Sequence, residues 1–394
     1  METTGHRESP PPAWASERLQ LSLAYFLYFV TLGIVFPYFP AYLAARGLDA
    51  VAIGWVMALG PLARIVVPPL LGLAADRRRG PRFWSVVAAW GALSGMLLMW
   101  APGGLPLLYA GAVVYSLFNA PSMPLLDAMT LRRATARFGH VRMWGSVGYV
   151  LTSFALGTLF PSLPPEVIIT SCVGSLLLFS IFLSASRIED APTPRTDWGE
   201  LPRVLRGRAV WLLLGALLLS RMAAGPLSGF YIIFVNEQGL GGDVVALTWG
   251  IAIATEVCVM LAVDRLINRF GAGRVLAAGV LLDALRWFFY SVIATKAALL
   301  AAAPAHGLAF AMLYVAGVRA LTDIIPREFR ALGQGLGAAA QALGLAAGLI
   351  LAGYLYKTSG SRVMFAAAGI VGLASTVCAL AFGQLHGRST RLQN

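Results

Sequence analysis

The chain has 394 residues, of which 58% are hydrophobic and 12% charged, with a mean hydropathy of +0.74 and a formal net charge of +12. A soluble domain carries about a quarter charged residues and could not hide this much apolar side chain from water, so a soluble enzyme is excluded. A nucleic-acid binder is excluded as well, because the basic residues are scattered between apolar segments rather than gathered on one face.

The apolar runs are continuous and about twenty residues long, the length a helix needs to cross about 30 Å of hydrocarbon. Outer-membrane strands would instead alternate apolar and polar positions over about ten residues. The prediction is an all-α membrane protein with twelve transmembrane helices in two pseudo-symmetric six-helix bundles. Residues 1–19 read as a cytoplasmic tail with Glu2, Glu8, Glu17 and a Pro10-Pro11-Pro12 run. They do not form a cleavable signal peptide, which needs a basic start, a short apolar core and a small-residue cleavage site. The first bundle, 20–186, holds spans at 20–44, 50–75, 82–100, 105–128, 140–160 and 166–186. A polar stretch at 187–208 with Pro192, Pro194, Pro202 and nine charged residues is an exposed linker. The second bundle, 209–383, holds spans at 209–235, 244–264, 274–295, 298–319, 331–356 and 362–383, and 384–394 is a second cytoplasmic tail.

Basic residues set the orientation. With both termini inside, the cytoplasmic segments hold 22 arginines, while the opposite side holds only Arg46, Lys296, Lys357 and Arg362. This is a positive-inside distribution, and it predicts a bacterial-type cytoplasmic (inner) membrane with both termini cytoplasmic. An odd number of spans would scramble it. The halves also echo each other: Asp76, Arg77 and Gly80 follow the second span, and Asn268, Arg269 and Gly271 follow the eighth. An acid or amide, an arginine and a glycine in a tight turn suit a conformational latch, the carboxylate capping a helix N-terminus while the arginine pairs across the half. The competing reading is a pair of positive-inside loops and nothing more. Cys172, Cys258 and Cys378 all lie in apolar segments, so neither disulfides nor a metal site is expected. No cofactor is expected either, since there is no phosphate loop and no pair of histidines at metal-ligand spacing.

The two loops resemble the signature turns of the major facilitator superfamily. Tyr28-Phe29-Val30-Thr31-Leu32-Gly33 through Leu43 resembles the aromatic first helix of the lactose permease and phenylpropionate permease branch. Phe138-Gly139-His140-Val141-Arg142-Met143-Trp144-Gly145-Ser146-Val147-Gly148-Tyr149 resembles the start of the fifth helix in the same branch. The resemblance implies the major facilitator fold and a monomeric proton symporter whose partners are a small-molecule substrate, protons and the lipid bilayer.

A charge at the bilayer centre costs roughly 2.5–3.5 kcal/mol on insertion scales, and such residues face a cavity or a partner. Arg64, Asp127, Arg142, Arg221, Glu256, Asp283, Arg286 and His306 lie within or beside spans. Asp127 and Arg142 flank a short loop between antiparallel neighbours and can pair; Asp283 and Arg286 are three residues apart on one helix face. By resemblance, Asp127 and Arg142 hydrogen-bond substrate, Tyr149 offers an aromatic face, Tyr28 joins them from the first helix, and Glu256 with Arg286 binds from the second half. Proton coupling falls by resemblance to Glu256 and His306, with Asp283 and Asp127 as further candidates. Static ion pairs and a satisfied core histidine are the bland alternatives. The branch also has a carboxylate one turn after its histidine and lysine partners in the later spans; here that position is Ala309, and the only lysines are Lys296 and Lys357.

The expected function is therefore secondary active transport of a small polar organic solute by alternating access. A proton-coupled symporter of a sugar, nucleoside or aromatic acid is the first reading. A proton-independent uniporter, an efflux carrier and a non-transporting membrane sensor are the alternatives. Arg142 with Asp127 favours a polyhydroxyl ligand, whereas Arg64 and Arg221 lean toward an acid.

Overall fold

The computed structural model describes residues 13–75, 80–134, 138–159, 164–186, 188, 205, 207–293, 295–326 and 329–393. All regular structure among them is helical. The first half of the chain forms α1 (Ala13–Ala45), α2 (Ala50–Ala75), α3 (Pro81–Trp100), α4 (Gly104–Asn119), α5 (Ser122–Ala134), α6 (Phe138–Leu159) and α7 (Pro165–Ala185). The second half forms α8 (Arg208–Ala223), α9 (Gly225–Glu237), α10 (Gly242–Met260), α11 (Val263–Phe270), α12 (Ala272–Val292), α13 (Lys296–Ile324) and α14 (Arg330–Gln393).

Several of these are pieces of longer rods. Proline has no backbone N–H to donate. Pro121 marks the break between α4 and α5, and Pro226 sits in the first turn of α9, just after the break at Ala224. Within α14, Gly360 turns the chain with φ of 80° and ψ of 176°, values only glycine adopts without strain. Among the described residues nine helical segments are long and apolar enough to cross a membrane, including the 30-residue Arg208–Glu237 and the 55-residue Leu332–His386. Their outer faces carry exposed Trp90, Leu151, Leu178, Trp211, Leu285 and Ile370, side chains that hydrocarbon accepts and water does not.

Some predicted boundaries shift. Helix α1 already begins at Ala13, inside the segment assigned to a tail, and α14 runs through the other tail to Gln393. Arg208, placed in the linker, opens α8. A helix once nucleated extends past its apolar stretch at little cost per residue, so hydropathy marks a span more tightly than the helix that carries it.

The packing divides unevenly along the molecule. Besides a small cluster of Ala58 with Leu345, Ala346 and Leu349, one large core joins the two halves: Tyr38, Tyr42 and Met96 from the first pack with Phe230, Tyr290 and Phe365 from the second. It lies toward the end that carries the turns at 46–49, 101–103 and 238–241. Two further cores lie at the opposite end, where the chain begins and finishes, and each belongs to one half: Tyr25, Leu126 and Phe179 in one, Leu217, Leu276 and Phe382 in the other. Among the described residues the large common interior therefore lies toward one end, and the cores at the other end are separate.

Two contacts hold the shared end. Asp49 and Lys357 form an ion pair of 2.7 Å between the halves. Gly54 of α2 faces Gly353 of α14: a Cβ on Gly54 would lie 2.6 Å from the Leu349 carbonyl oxygen, and one on Gly353 would collide with that of Ala50. Only hydrogen at both positions lets the backbones approach this closely.

Candidate membrane-embedded binding site

The site begins on the α1–α6 seam. A Cβ on Gly148 would lie 2.5 Å from the Phe26 carbonyl oxygen, and one on Gly145 2.8 Å from the Phe29 ring, so these glycines press α6 onto α1. The same approach brings Arg142 and Tyr149, on that helix, to the region between the halves. The Tyr25 hydroxyl donates to Asp127 Oδ1 at 2.6 Å, which fixes that carboxylate from α1. Arg142, half-buried, is close enough to attract Asp127, and the Tyr314 hydroxyl of α13 reaches it from the other half.

In the second half, Asp283 Oδ1 accepts from Arg286 Nη2 at 2.5 Å and from Nε at 3.1 Å. Arg286 Nη2 also lies 3.1 Å from His306 Nδ1. The guanidinium carbon sits 3.8 Å from the Trp287 ring centroid, and Arg286 is 3% exposed. Its Nη1 has no hydrogen-bond partner. This is a buried, aromatic-backed ion pair with a histidine at its edge.

A file of rings connects the halves. Tyr149 meets Trp249 edge-on at 6.1 Å, Trp249 meets His306 at 5.5 Å, and His306, Phe310 and Tyr314 continue at 6.2 and 6.1 Å back toward Arg142. Beside it, between α1, α2, α4, α9 and α14, lies a cavity whose polar lining is Arg64, Tyr115, Ser116, Asn119 and Ser228.

The structure brings Asp127, Arg142 and Tyr149 toward one face and gathers Asp283, Arg286 and His306 into one cluster. It does not pair Glu256 with Arg286. The arginine's carboxylate is Asp283, one helical turn away, whereas the half-buried Glu256 makes no hydrogen bond or ion pair among the described residues. A partner on the same helix needs no alignment of two helices, which explains why it takes precedence. Tyr28 also differs from expectation: it is 2% exposed, with its ring against Phe29 and Phe179 in the first-half core rather than at the cleft surface.

Of the latch residues, Asp76 and Arg77 lie outside the described residues, and Gly80 precedes α3 in extended conformation. The second copy is a short helix, α11, rather than a bare turn. Asn268 and Arg269 are exposed on it, and Gly271, at φ of 84°, ends it. The sequence reading did not single out Tyr25, Trp249 or Asn119. Tyr25 could have been found, since it precedes Tyr28 by three residues on the same aromatic helix; Trp249 and Asn119 carry no local signal.

Long apolar helices with ion-paired charges buried among them are the pattern of a polytopic membrane protein. The sequence matches the family described as "MFS_1 like family" over residues 18–367, and the chain belongs to that family of major facilitator transporters. It is 31% identical over 290 residues to a maltose permease of Geobacillus stearothermophilus, covering 70% of this chain and 72% of the permease. It is 25% identical over 356 residues to a protein of Escherichia coli K12 named "Probable 3-phenylpropionic acid transporter", covering 88% and 93% of the two chains. A crystal structure of nucleoside transporter NupG superposes with a TM-score of 0.77 at 18% identity, covering 93% of this chain and 98% of that one, which is a likeness of fold. The protein is thus an integral membrane transporter of a small molecule, not an enzyme.

Proposed function

We propose that the chain is a proton-coupled secondary transporter that moves a small polar organic solute across the cytoplasmic membrane by alternating access. Twelve spans form two six-helix bundles, both termini are cytoplasmic, and the monomer is the working unit. The observation that carries this reading is the uneven packing: among the described residues the large core common to the halves lies toward one end, and polar side chains from both halves line a cavity between them. Two rigid bundles joined at one end can rock to expose a central site to each side in turn. In this reading the structure is open toward the cytoplasm.

Asp127, Arg142 and Tyr149 contact the solute from the first bundle, with Tyr25 and Tyr28 holding the wall behind them. Glu256 carries the coupling proton, because among these carboxylates it alone has neither a hydrogen bond nor an ion pair to a described residue. Asp283, Arg286 and His306 form the supporting cluster next to it. Relatives named for maltose and 3-phenylpropionic acid favour a sugar or aromatic-acid class of solute. The test is uptake of labelled maltose, uridine and 3-phenylpropionate into proteoliposomes under an inward proton gradient. Accumulation of one of them that collapses with a protonophore is the expected result. Uptake that only equilibrates, gradient or none, removes the coupling; no uptake of any removes the carrier.

A further inference from the structure

Of the arginines named within or beside spans, Arg64 and Arg221 remain outside the pairings described so far. Arg64 lies on α2 and Arg221 at the end of α8, so they come from different halves of the chain. Neither makes a hydrogen bond or ion pair to a described residue. They are close enough to repel each other, and Arg221 is drawn in turn toward Asp283. That aspartate is already committed to Arg286 through two hydrogen bonds. Two like charges in a membrane-embedded cleft are costly.

The cavity that Arg64 lines shows what could occupy the space. Arg64 is exposed, and the space it faces is this cavity. Tyr115 and Asn119, each 8% exposed, line the same cavity, and neither the Tyr115 hydroxyl nor Asn119 Oδ1 has a hydrogen-bond partner. Buried polar atoms are ordinarily satisfied, and their vacancy beside an unpaired guanidinium is the pattern of a polar ligand's receptor. The remaining wall is apolar, with Phe36, Phe39, Leu345 and Leu349, and accepts a ring or short hydrocarbon.

We propose that Arg64 holds the anionic group of the transported solute in this cavity, with the charge of Arg221 nearby, which makes the substrate a small organic acid whose apolar body lies against Phe36 and Phe39. The inference rests on the carrier reading above and narrows its substrate class. Arg64 binds the anion at the cavity, Arg221 adds its charge from the second bundle, and Tyr115 donates a hydroxyl. Because the two arginines belong to different halves, an anion on Arg64 also offsets its repulsion of Arg221. The planar fork of arginine suits a carboxylate's two oxygens, and a phosphate ester offers the same chemistry with higher charge.

The test is binding to the full-length purified protein, separate from flux. Thermal stabilisation and calorimetry are measured with benzoate, the isosteric neutral benzamide, and phenyl phosphate. Charge-assisted hydrogen bonds predict that benzoate binds about tenfold to a hundredfold more tightly than benzamide. Arg64→Gln and Arg221→Gln each reduce that discrimination to within a few-fold, and Arg64→Lys retains part of it. Phenyl phosphate binding better than benzoate, with the same dependence on both arginines, assigns the site to phosphate esters. Equal binding of benzoate and benzamide, binding of neither anion, or discrimination that survives both glutamine variants overturns the proposal. The comparison in the unsubstituted protein decides even if a variant fails to fold. Uptake of a neutral sugar by a protein indifferent to benzoate keeps the carrier and removes the anion site; benzoate binding without transport of any solute does the reverse.

Discussion

Gly54→Ala separates an alternating-access carrier from a bundle with one resting state. The added methyl would lie 2.6 Å from the Leu349 carbonyl oxygen, where ordinary contact begins at 3.4 Å, so the backbones of α2 and α14 must part by 0.8 Å. Both are helix backbones, and no flexible side-chain tip can yield. Overpacking of this kind costs about 1–3 kcal/mol, and the cost falls only on the state in which this end is closed. The ratio of closed to open molecules should therefore drop by a factor of about 5 to 150. In an isolated helix the same substitution would stabilise by about 1 kcal/mol, so the sign of the effect is diagnostic. Gly174→Ala, where nothing lies within 4 Å of the added Cβ, is the control. Spin labels at Ala45 and Thr358, on opposite halves at the shared end, report the separation. Their distance distribution should lengthen in Gly54→Ala and stay unchanged in Gly174→Ala. An unchanged distribution in Gly54→Ala would refute the reasoning, because the two bundles would then not part at this seam.

The remaining predictions concern the charged groups. Glu256→Gln should abolish uphill accumulation in proteoliposomes while leaving solute exchange measurable, and normal accumulation would take the proton site away from Glu256. Asp283→Asn should cost about 3–5 kcal/mol in chemical denaturation, because it leaves Arg286 buried and uncompensated; a smaller loss than for Glu256→Gln would mean that the pair is not structural. Lys357→Ala should shift the shared end toward open by only about 1.4- to 5-fold in the same label measurement, as for other exposed pairs, and a shift as large as that of Gly54→Ala would contradict it. The Lys357 ammonium, then the Ala52 N–H, hold the Asp49 carboxyl below its ordinary value of 3.8. A lowered value means that the clasp is fully present above pH 3.8 and is lost as the pH falls through the lowered value. Label distances should therefore be flat near neutrality and lengthen only in strong acid.

The sequence revealed what depends on composition and on neighbours in the chain. Twenty-residue apolar runs can only be helices in a bilayer, and the Asp283–Arg286 spacing places both groups on one face of a single helix. Asp127 and Arg142 were legible because a short loop joins their helices. The contacts that failed or went unseen all cross between distant helices. Glu256 and Arg286 sit on α10 and α12, and nothing in either helix sets their relative rotation. The Tyr25–Asp127 bond spans 102 residues, and it exists because Gly145 and Gly148 let α6 approach α1. Those glycines were read as part of a signature; their packing role needed the partner backbone. Tyr28 was placed at the cleft because it lies on the aromatic helix, but every turn of that helix buries residues, so lying on it does not decide what a side chain faces.

The charges between the halves also constrain coupling. Asp127 lies near Arg142, and Asp283 is bonded to Arg286, so each set is neutral when ionised. Arg64 and Arg221 contribute two positive charges, and an ionised Glu256 contributes one negative, which leaves the empty cleft at about one net positive charge. If the solute is a monoanion, its arrival alone changes that charge, and so does a proton arriving alone at Glu256. Both together restore the empty value. Rearrangement through a low-dielectric barrier is sensitive to a change of one charge, so the empty and doubly loaded carriers are the two forms suited to cross, which is the condition for obligate symport. The loaded crossing then carries no charge beyond that of the empty one. Uptake should follow a pH gradient and ignore an imposed voltage, although about 2.3 kcal/mol per charge per 100 mV is available from the potential. Uptake driven by a potassium-diffusion potential at equal pH would show that the cleft's charge is not conserved, and Glu256 and the two arginines would then not be the coupled set.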